Sequence, residues 1–236
     1  MSQIPTTIPS LEDVTESIIF PPGDIYSDEP PLESDLHREQ IDLLIRLIKW
    51  WWRVGVARRR HRQDFYLIGN LTIYFSPNQK KSEEFPGPDF FVVLDTEKKD
   101  RKSWVVWQED GKYPNVIIEM LSDFTASVDK GLKKQIYQNT FRTPDYFWFN
   151  PNNLKLQGFH IVDGQYQELA PTELGWLWSQ QLRLYLGVQE GKLRFFTPDG
   201  HLVMLPEEEA NQQLTQERQR AEKLAERLRA AGIELE

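Results

Sequence analysis

Two acidic residues stand at the ends of strongly apolar, strand-like segments in the middle of the chain. Asp89 follows a Pro-Gly-Pro turn and opens the β-prone segment 90–94, and Glu119 ends an apolar segment that begins at Tyr113. A buried charge costs on the order of several kcal/mol unless it is paired, and two such charges on neighbouring strands also repel each other. A bound divalent cation would relieve both costs. The simpler alternative is a turn-capping aspartate and a surface glutamate.

A lysine-rich segment follows the second acid and has helical periodicity. Lys130, Lys133, Lys134 and Tyr137 recur at i, i+3, i+4 and i+7, which places them on one face of a helix spanning about residues 127–139. Together with the two acids, this row indicates a metal site that faces an anionic substrate. A solvated helix face remains the alternative for the lysines.

The net charge of −8 does not exclude a nucleic-acid partner, because the acidic excess is local. Residues 1–37 contain 8 acids and no Lys or Arg, so the rest of the chain holds 36 − 8 = 28 acids against 28 bases. Within that neutral part, segment 46–62 carries seven basic residues and no acid. Such a block can contact phosphates, and Arg58, Arg59 and Arg60 are its central candidates. It can equally be a solvated helix end and loop.

The chain is long enough for one well-buried domain with appendages. We expect a flexible acidic arm over 1–34, one domain over 35–205 and a C-terminal helix within 206–236. The domain should begin with a helix over about 35–52, capped by Ser34 or Asp35, followed by strands and the lysine-rich helix. Glycine-punctuated segments over 154–205 predict a β meander that covers one sheet edge.

Three further segments have strand character. Residues 65–75 predict a hairpin around Gly69 and Asn70 or a bulged continuous strand, residues 104–107 a short strand, and residues 145–149 a buried strand. The chain has no cysteine, which excludes disulfides and thiolate metal sites. It also has no apolar run near the ~20 residues that cross a bilayer, so we expect a cytoplasmic protein with no membrane partner.

Four stretches together carry a family resemblance. They are Gly87 to Val93, Ile117 to Ser122, the trio Asp129, Lys133 and Tyr137, and Tyr146 to Trp148. Over roughly residues 35–205 they resemble the Uma-type family of putative restriction endonucleases, within the PD-(D/E)XK nuclease superfamily. The resemblance implies an α/β (α+β) fold, with a restriction-endonuclease-like core whose mixed central sheet is flanked by helices.

The resemblance also implies a DNA endonuclease that depends on Mg²⁺ or Mn²⁺, with Asp89 and Glu119 as catalytic metal ligands. The superfamily lysine normally lies two residues beyond the second acid, where this chain has Leu121. Lys133 of the following helix is the expected substitute and Lys134 the second choice.

The first helix of such proteins commonly adds a carboxylate ligand, for which Glu39 is the candidate because it lies inside the helix, whereas the alternative Glu33 precedes the helix cap. Lys130 and Tyr137 are expected to contact the nucleic acid. Loss of the usual lysine leaves open a non-catalytic nucleic-acid-binding or assembly module, and a hydrolase of another phosphodiester is a third possibility.

Cleavage of a duplex needs two strand scissions, which predicts a homodimer whose two-fold symmetry matches that of DNA. We expect its interface at aromatic-rich sheet edges near Trp104, Trp107, Trp176 and Trp178. The C-terminal seam of Leu224 and Leu228 is diluted by alanine and is the weaker candidate.

Overall fold

The computed structural model describes residues 25–27, 34–54, 62–76, 87–121 and 129–230. Helix α1, Asp35–Val54, opens the domain as the sequence predicts, and the backbone N–H of His37 donates to Oγ of Ser34, 3.3 Å away. Its core-facing side chains recur at three- and four-residue intervals and are Ile41, Leu44, Leu47, Ile48 and Trp52.

Eleven strands are present in the described residues. They are β1 Phe65–Gly69, β2 Ile73–Tyr74, β3 Phe90–Leu94, β4 Trp104–Val105, β5 Val116–Met120, β6 Asp145–Asn150, β7 Lys155–Val162, β8 Gln165–Glu168, β9 Leu177–Ser179, β10 Leu184–Gln189 and β11 Lys192–Phe196. A six-stranded sheet has the order β1-β3-β5-β6-β7-β8. Its β5 and β6 strands are parallel and its other neighbours antiparallel, so the sheet is mixed as expected.

After α1, the described residues contain a short 3-10 helix, Val106–Gln108, and two longer helices. Helix α2 covers residues 129–141 and consists of a π-helical turn Asp129–Lys133, an α-helical turn Lys134–Ile136 and a second π-helical turn Tyr137–Phe141. Helix α3, Pro206–Ala230, ends the described chain and has no buried residue. None of the described helices is both long and apolar enough to cross a membrane.

The central sheet buries both of its faces, which explains why its middle strands are apolar almost throughout. One face packs against α1 and the three-stranded sheet β11-β10-β9. The other face packs against α2 and the small parallel pair of β2 and β4. In β5, Ile118 and Met120 face the α1 side, so the two-residue alternation directs Glu119 with Ile117 to the α2 side.

Two predicted segments fold differently from expectation. The 65–75 segment is neither a hairpin nor one continuous strand: Asn70 has φ +50°, and the chain leaves the central sheet there so that β2 pairs with β4. The meander over 154–205 does not simply cover an edge. Strands β7 and β8 extend the central sheet, whereas β9, β10 and β11 form a separate sheet on its α1 face.

Most of the predicted acidic arm lies outside the described residues. Of its last part, Ile25 to Ser27 contact the domain: the carbonyl of Ile25 accepts a hydrogen bond from Ser103 Oγ at 2.6 Å, and Lys102 Nζ lies 4.2 Å from the ring centroid of Tyr26. This described part of the arm therefore lies against the segment that leads into β4.

Candidate active site

The register of β3 and β5 brings the two predicted acids together. Phe90 pairs with Ile118 across the antiparallel strands, so the next position along the pair sets Asp89 opposite Glu119. The backbone N–H of Asp89 lies 3.4 Å from Oε2 of Glu119, and the backbone N–H of Met120 donates to Oδ2 of Asp89 at 2.7 Å. The acids thus form a pair at one end of the sheet.

Helix α2 adds two side chains to this pair. Lys133 Nζ lies 3.3 Å from Oε2 of Glu119 and 3.3 Å from the carbonyl oxygen of Gly87. The hydroxyl of Tyr137 donates to the other carboxylate oxygen, Oε1, at 2.5 Å. Glu119 and Tyr137 are fully buried and Lys133 is 5% exposed, so the contacts occur where water screens charge weakly.

The electrostatics of the pair favour a proton or a cation. Burial of the Asp89 carboxyl, followed by the negative charge of Glu119, raises the pKa of Asp89 well above its ordinary value. A hydrogen bond between the two carboxyl groups acts in the same direction, whereas the charge of Lys133 and the N–H of Met120 oppose it. With both acids ionised, the described side chains of the site carry two negative charges and the positive charge of Lys133, a balance that favours a further cation.

The two lysines considered for the catalytic role point to different places. Lys133 reaches the acid pair, whereas Lys134 Nζ lies 3.4 Å from the ring centroid of Phe159 on β7. Burial lowers the pKa of Lys134, partly offset by the charge of Glu168. Leu121, in the usual lysine position, is a fully buried core residue. Position 121 therefore provides packing, and the charge beside the acids comes from α2.

The other predicted site residues do not join the pair. Glu39 is exposed on α1, and the described residues contain no group of three or more acids, histidines or cysteines able to hold a metal. Tyr137 is fully buried, which argues against the nucleic-acid contact predicted for it. The side chain of Lys130, and Arg58 to Arg60 entirely, lie outside the described residues.

Three described residues of the basic block border a cleft at the far end of the sheet. Lys49, Arg53 and Arg62 line a cleft of about 990 Å³ with Asp95, which directly follows β3. Asp95 lies six positions beyond Asp89 along β3, or roughly 20 Å at 3.3 Å per residue. Arg62 pairs with both Asp64 and Asp95, so part of the positive charge of the cleft is already neutralised.

A further buried acid, which the sequence did not identify as a site residue, is the centre of a hydrogen-bond network. Asp145, at the start of β6, accepts hydrogen bonds from Ser179 Oγ at 2.6 Å and from the backbone N–H of Gln181 at 2.9 Å, and its Oδ1 lies 2.7 Å from Nδ1 of His160. These contacts tie β6 and β7 to the three-stranded sheet. The signal in the sequence was an acid opening a buried strand, the same signal that identified Asp89.

The chain is similar to one protein family and to a solved structure. The model of the Uma2 family, described as putative restriction endonuclease, matches residues 9–197. Among solved structures, the crystal structure of a putative nuclease belonging to DUF820 from Anabaena variabilis is similar at 10% sequence identity and a TM-score of 0.44, over 65% of this chain and 76% of that chain. None of the curated proteins compared with the chain is a match.

Proposed function

The chain belongs to the Uma2 family of restriction-endonuclease-related proteins, and on this basis we propose that it is a divalent-metal-dependent DNA endonuclease. Asp89 and Glu119 would hold Mg²⁺ or Mn²⁺, and Lys133 would supply the positive charge beside the scissile phosphate. One observation carries the proposal. Two carboxylates and a lysine from three separate elements meet in a largely buried cluster.

The residues present fit a divalent cation. Hard carboxylate oxygens are the protein ligands that Mg²⁺ prefers, and Mg²⁺ is commonly held by one or two carboxylates while water and phosphate complete its coordination. Asp89 and Glu119 provide that number, and the pKa of Asp89 is raised first by burial of its carboxyl and then by the negative charge of Glu119. Glu39 is not needed for such a site.

When bound, the cation would lower the pKa of a coordinated water and offset negative charge on the phosphate. The protein contributes the arrangement around it. The strand register fixes Asp89 beside Glu119, and the Gly87 carbonyl and Glu119 together hold the Lys133 ammonium at the pair. A positive charge placed there would stabilise charge that develops on the phosphate during cleavage.

The test is cleavage of supercoiled and linear DNA by purified protein with Mg²⁺, Mn²⁺ or EDTA. We expect cleavage only with a metal ion and its loss in Asp89→Asn and in Glu119→Gln. Glu190→Gln removes an exposed acid on the three-stranded sheet and is the matched control, expected to cleave like the wild-type protein. Equal activity in all variants would mean that the acid pair does not carry the reaction.

A second candidate function is a nucleic-acid-binding module that keeps the fold without the chemistry. The observation that favours it is Leu121, a core residue in the position where the superfamily has its lysine. Under this alternative the wild-type protein would bind DNA in a gel-shift assay but leave it intact with every metal ion. If Lys133 instead takes the role of the missing lysine, the wild-type protein should cleave DNA in the presence of a metal ion.

A further inference from the structure

We infer that Tyr137 is a positioning residue that fixes the carboxylate of Glu119 for cation binding, an inference that rests on the proposed function. Its hydroxyl donates to Oε1 of Glu119 at 2.5 Å, while Lys133 contacts Oε2 of the same group. Both side chains come from α2 and approach different oxygens of one carboxylate. This arrangement assigns Tyr137 a role toward the metal ligand and not toward DNA.

A glutamate ligand needs such support because its terminal torsion is soft. The carboxylate of glutamate rotates over a broad range about its last side-chain bond, so the chain alone does not fix its plane. Contacts to both oxygens restrict that rotation. Hydrogen-bond partners behind metal ligands commonly hold the ligands in the orientation that metal binding needs.

Tyr137 is itself held firmly. Its ring centroid lies 5.4 Å from that of Tyr146 on β6 and 5.5 Å from that of Phe141 on α2, and none of its surface is exposed. Aromatic packing on two sides therefore fixes the hydroxyl that reaches Glu119. A tyrosine held by its neighbours orients a carboxylate better than an exposed hydroxyl would.

The irregular winding of α2 matches this role. Lys133 ends the first π-helical turn and Tyr137 begins the second, with one α-helical turn, Lys134–Ile136, between them. π-Helical turns are rare and occur frequently at functional sites. Here each π-helical turn contains one of the two side chains, four residues apart, that contact the two oxygens of Glu119.

The experiment compares Mn²⁺ binding by the full-length wild-type protein, Tyr137→Phe and Tyr166→Phe without DNA. Tyr166 is the matched control because its hydroxyl donates to the carbonyl of Thr143 at 2.9 Å on the same side of the sheet, away from Glu119. Loss of a group behind a metal ligand typically weakens metal affinity by about 10- to 100-fold. We expect that loss in Tyr137→Phe and a dissociation constant within about twofold of wild type in Tyr166→Phe.

Thermal unfolding in EDTA, followed by circular dichroism, checks that each variant is folded at the binding temperature. In a Glu119→Gln background, Tyr137→Phe should cause no further loss of Mn²⁺ affinity, because its effect acts through Glu119. Unchanged affinity in Tyr137→Phe, or an equal loss in Tyr166→Phe, would overturn the positioning role alone. Wild-type protein that takes up no Mn²⁺ would overturn the proposed function and this role together.

Discussion

Lys133 lies 3.3 Å from the carboxylate of Glu119, although the two residues come from different elements and are 14 positions apart in the sequence. The usual lysine position, two residues beyond Glu119, is filled by a buried leucine. A helix packed on the sheet thus places a positive charge beside the acid pair, whereas position 121 contributes none. This relationship decides which lysine of α2 is worth testing first.

The first prediction concerns the two lysines of α2. Lys133→Met should lower kcat for DNA cleavage about a hundredfold or more, the scale of losing one charge-stabilising group. Lys134→Met is the matched control, because its ammonium lies over Phe159, and it should change kcat by less than about threefold. Single-turnover cleavage at saturating Mg²⁺ measures both. Equal tolerance of the two substitutions would favour the binding-module alternative.

The second prediction is an unequal effect of the two acids on stability in EDTA. Glu119→Ala leaves the buried Lys133 without its carboxylate, and breaking a buried ion pair costs about 3–5 kcal/mol. Asp89→Asn removes repulsion while keeping an acceptor for the Met120 N–H, so its free energy of unfolding should equal or exceed that of wild type. Urea denaturation at neutral pH measures both. Equal destabilisation would mean that Lys133 does not depend on Glu119.

The sequence predicted the main parts of this site but not their unequal roles. The sequence directly shows two acids at the ends of apolar strands. It also shows a lysine and a tyrosine four residues apart on one helix. The sequence alone suggested that removing either acid would relieve repulsion. The sequence could not show that Lys133 and Tyr137 contact the carboxylate of Glu119 and not that of Asp89. These contacts depend on how α2 packs across the sheet.

The positions of the strands were predicted better than the strands with which they pair. Apolar runs located β3, β5 and β6 because both faces of these strands are buried. The separation of β2 from β1 depends on the left-handed conformation of Asn70, and the sheet to which β9 belongs depends on contacts distant in sequence. The alternation of apolar and polar residues within one segment shows neither a left-handed backbone conformation nor a contact with a distant segment.

The third prediction is a pH dependence of stability in the metal-free protein. A folded-state pKa raised above the ordinary 3.8 of Asp89 means that the folded state binds this proton more tightly than the unfolded chain. The resulting stabilisation is complete below 3.8 and is lost as pH rises through the folded-state pKa. Wild type should therefore lose stability relative to Asp89→Asn as pH rises. Denaturation of both proteins in EDTA from about pH 4 to 8 measures the difference, and parallel curves would contradict the prediction.

The fourth prediction concerns the central part of the basic block. Replacing Arg58, Arg59 and Arg60 by alanine should weaken DNA binding and reduce the salt dependence of affinity by about 0.9 per lost phosphate contact. The control replaces Arg218, Arg220 and Arg229, which are exposed on α3, and removes the same charge. Fluorescence anisotropy at several salt concentrations measures the DNA affinity of both triple variants. An equal loss in both triple variants would indicate that net charge alone controls binding.

The last prediction is that the working unit is a homodimer whose interface does not require α3. The structure changes the expected interface, because Trp104 is fully buried, whereas Trp107, Trp176 and Trp178 are partly exposed. Helix α3 is almost entirely exposed beyond Glu209, and its leucine seam is diluted by alanine. A chain without most of α3 tests this prediction. It should keep Glu208, because this residue forms two hydrogen bonds of 2.8 Å with the largely buried Arg194.

Light scattering of the full-length protein and of a chain ending at Ala210 provides the test. We expect the dimer mass for both, and dissociation when Trp178 is replaced by aspartate in the full-length protein, because a charge at a buried interface is costly. Leu214→Asp, at an exposed position of α3, is the matched control and should leave the dimer mass unchanged. A monomer mass for both chains would exclude the homodimer, and a dimer lost only on truncation would place the interface on α3.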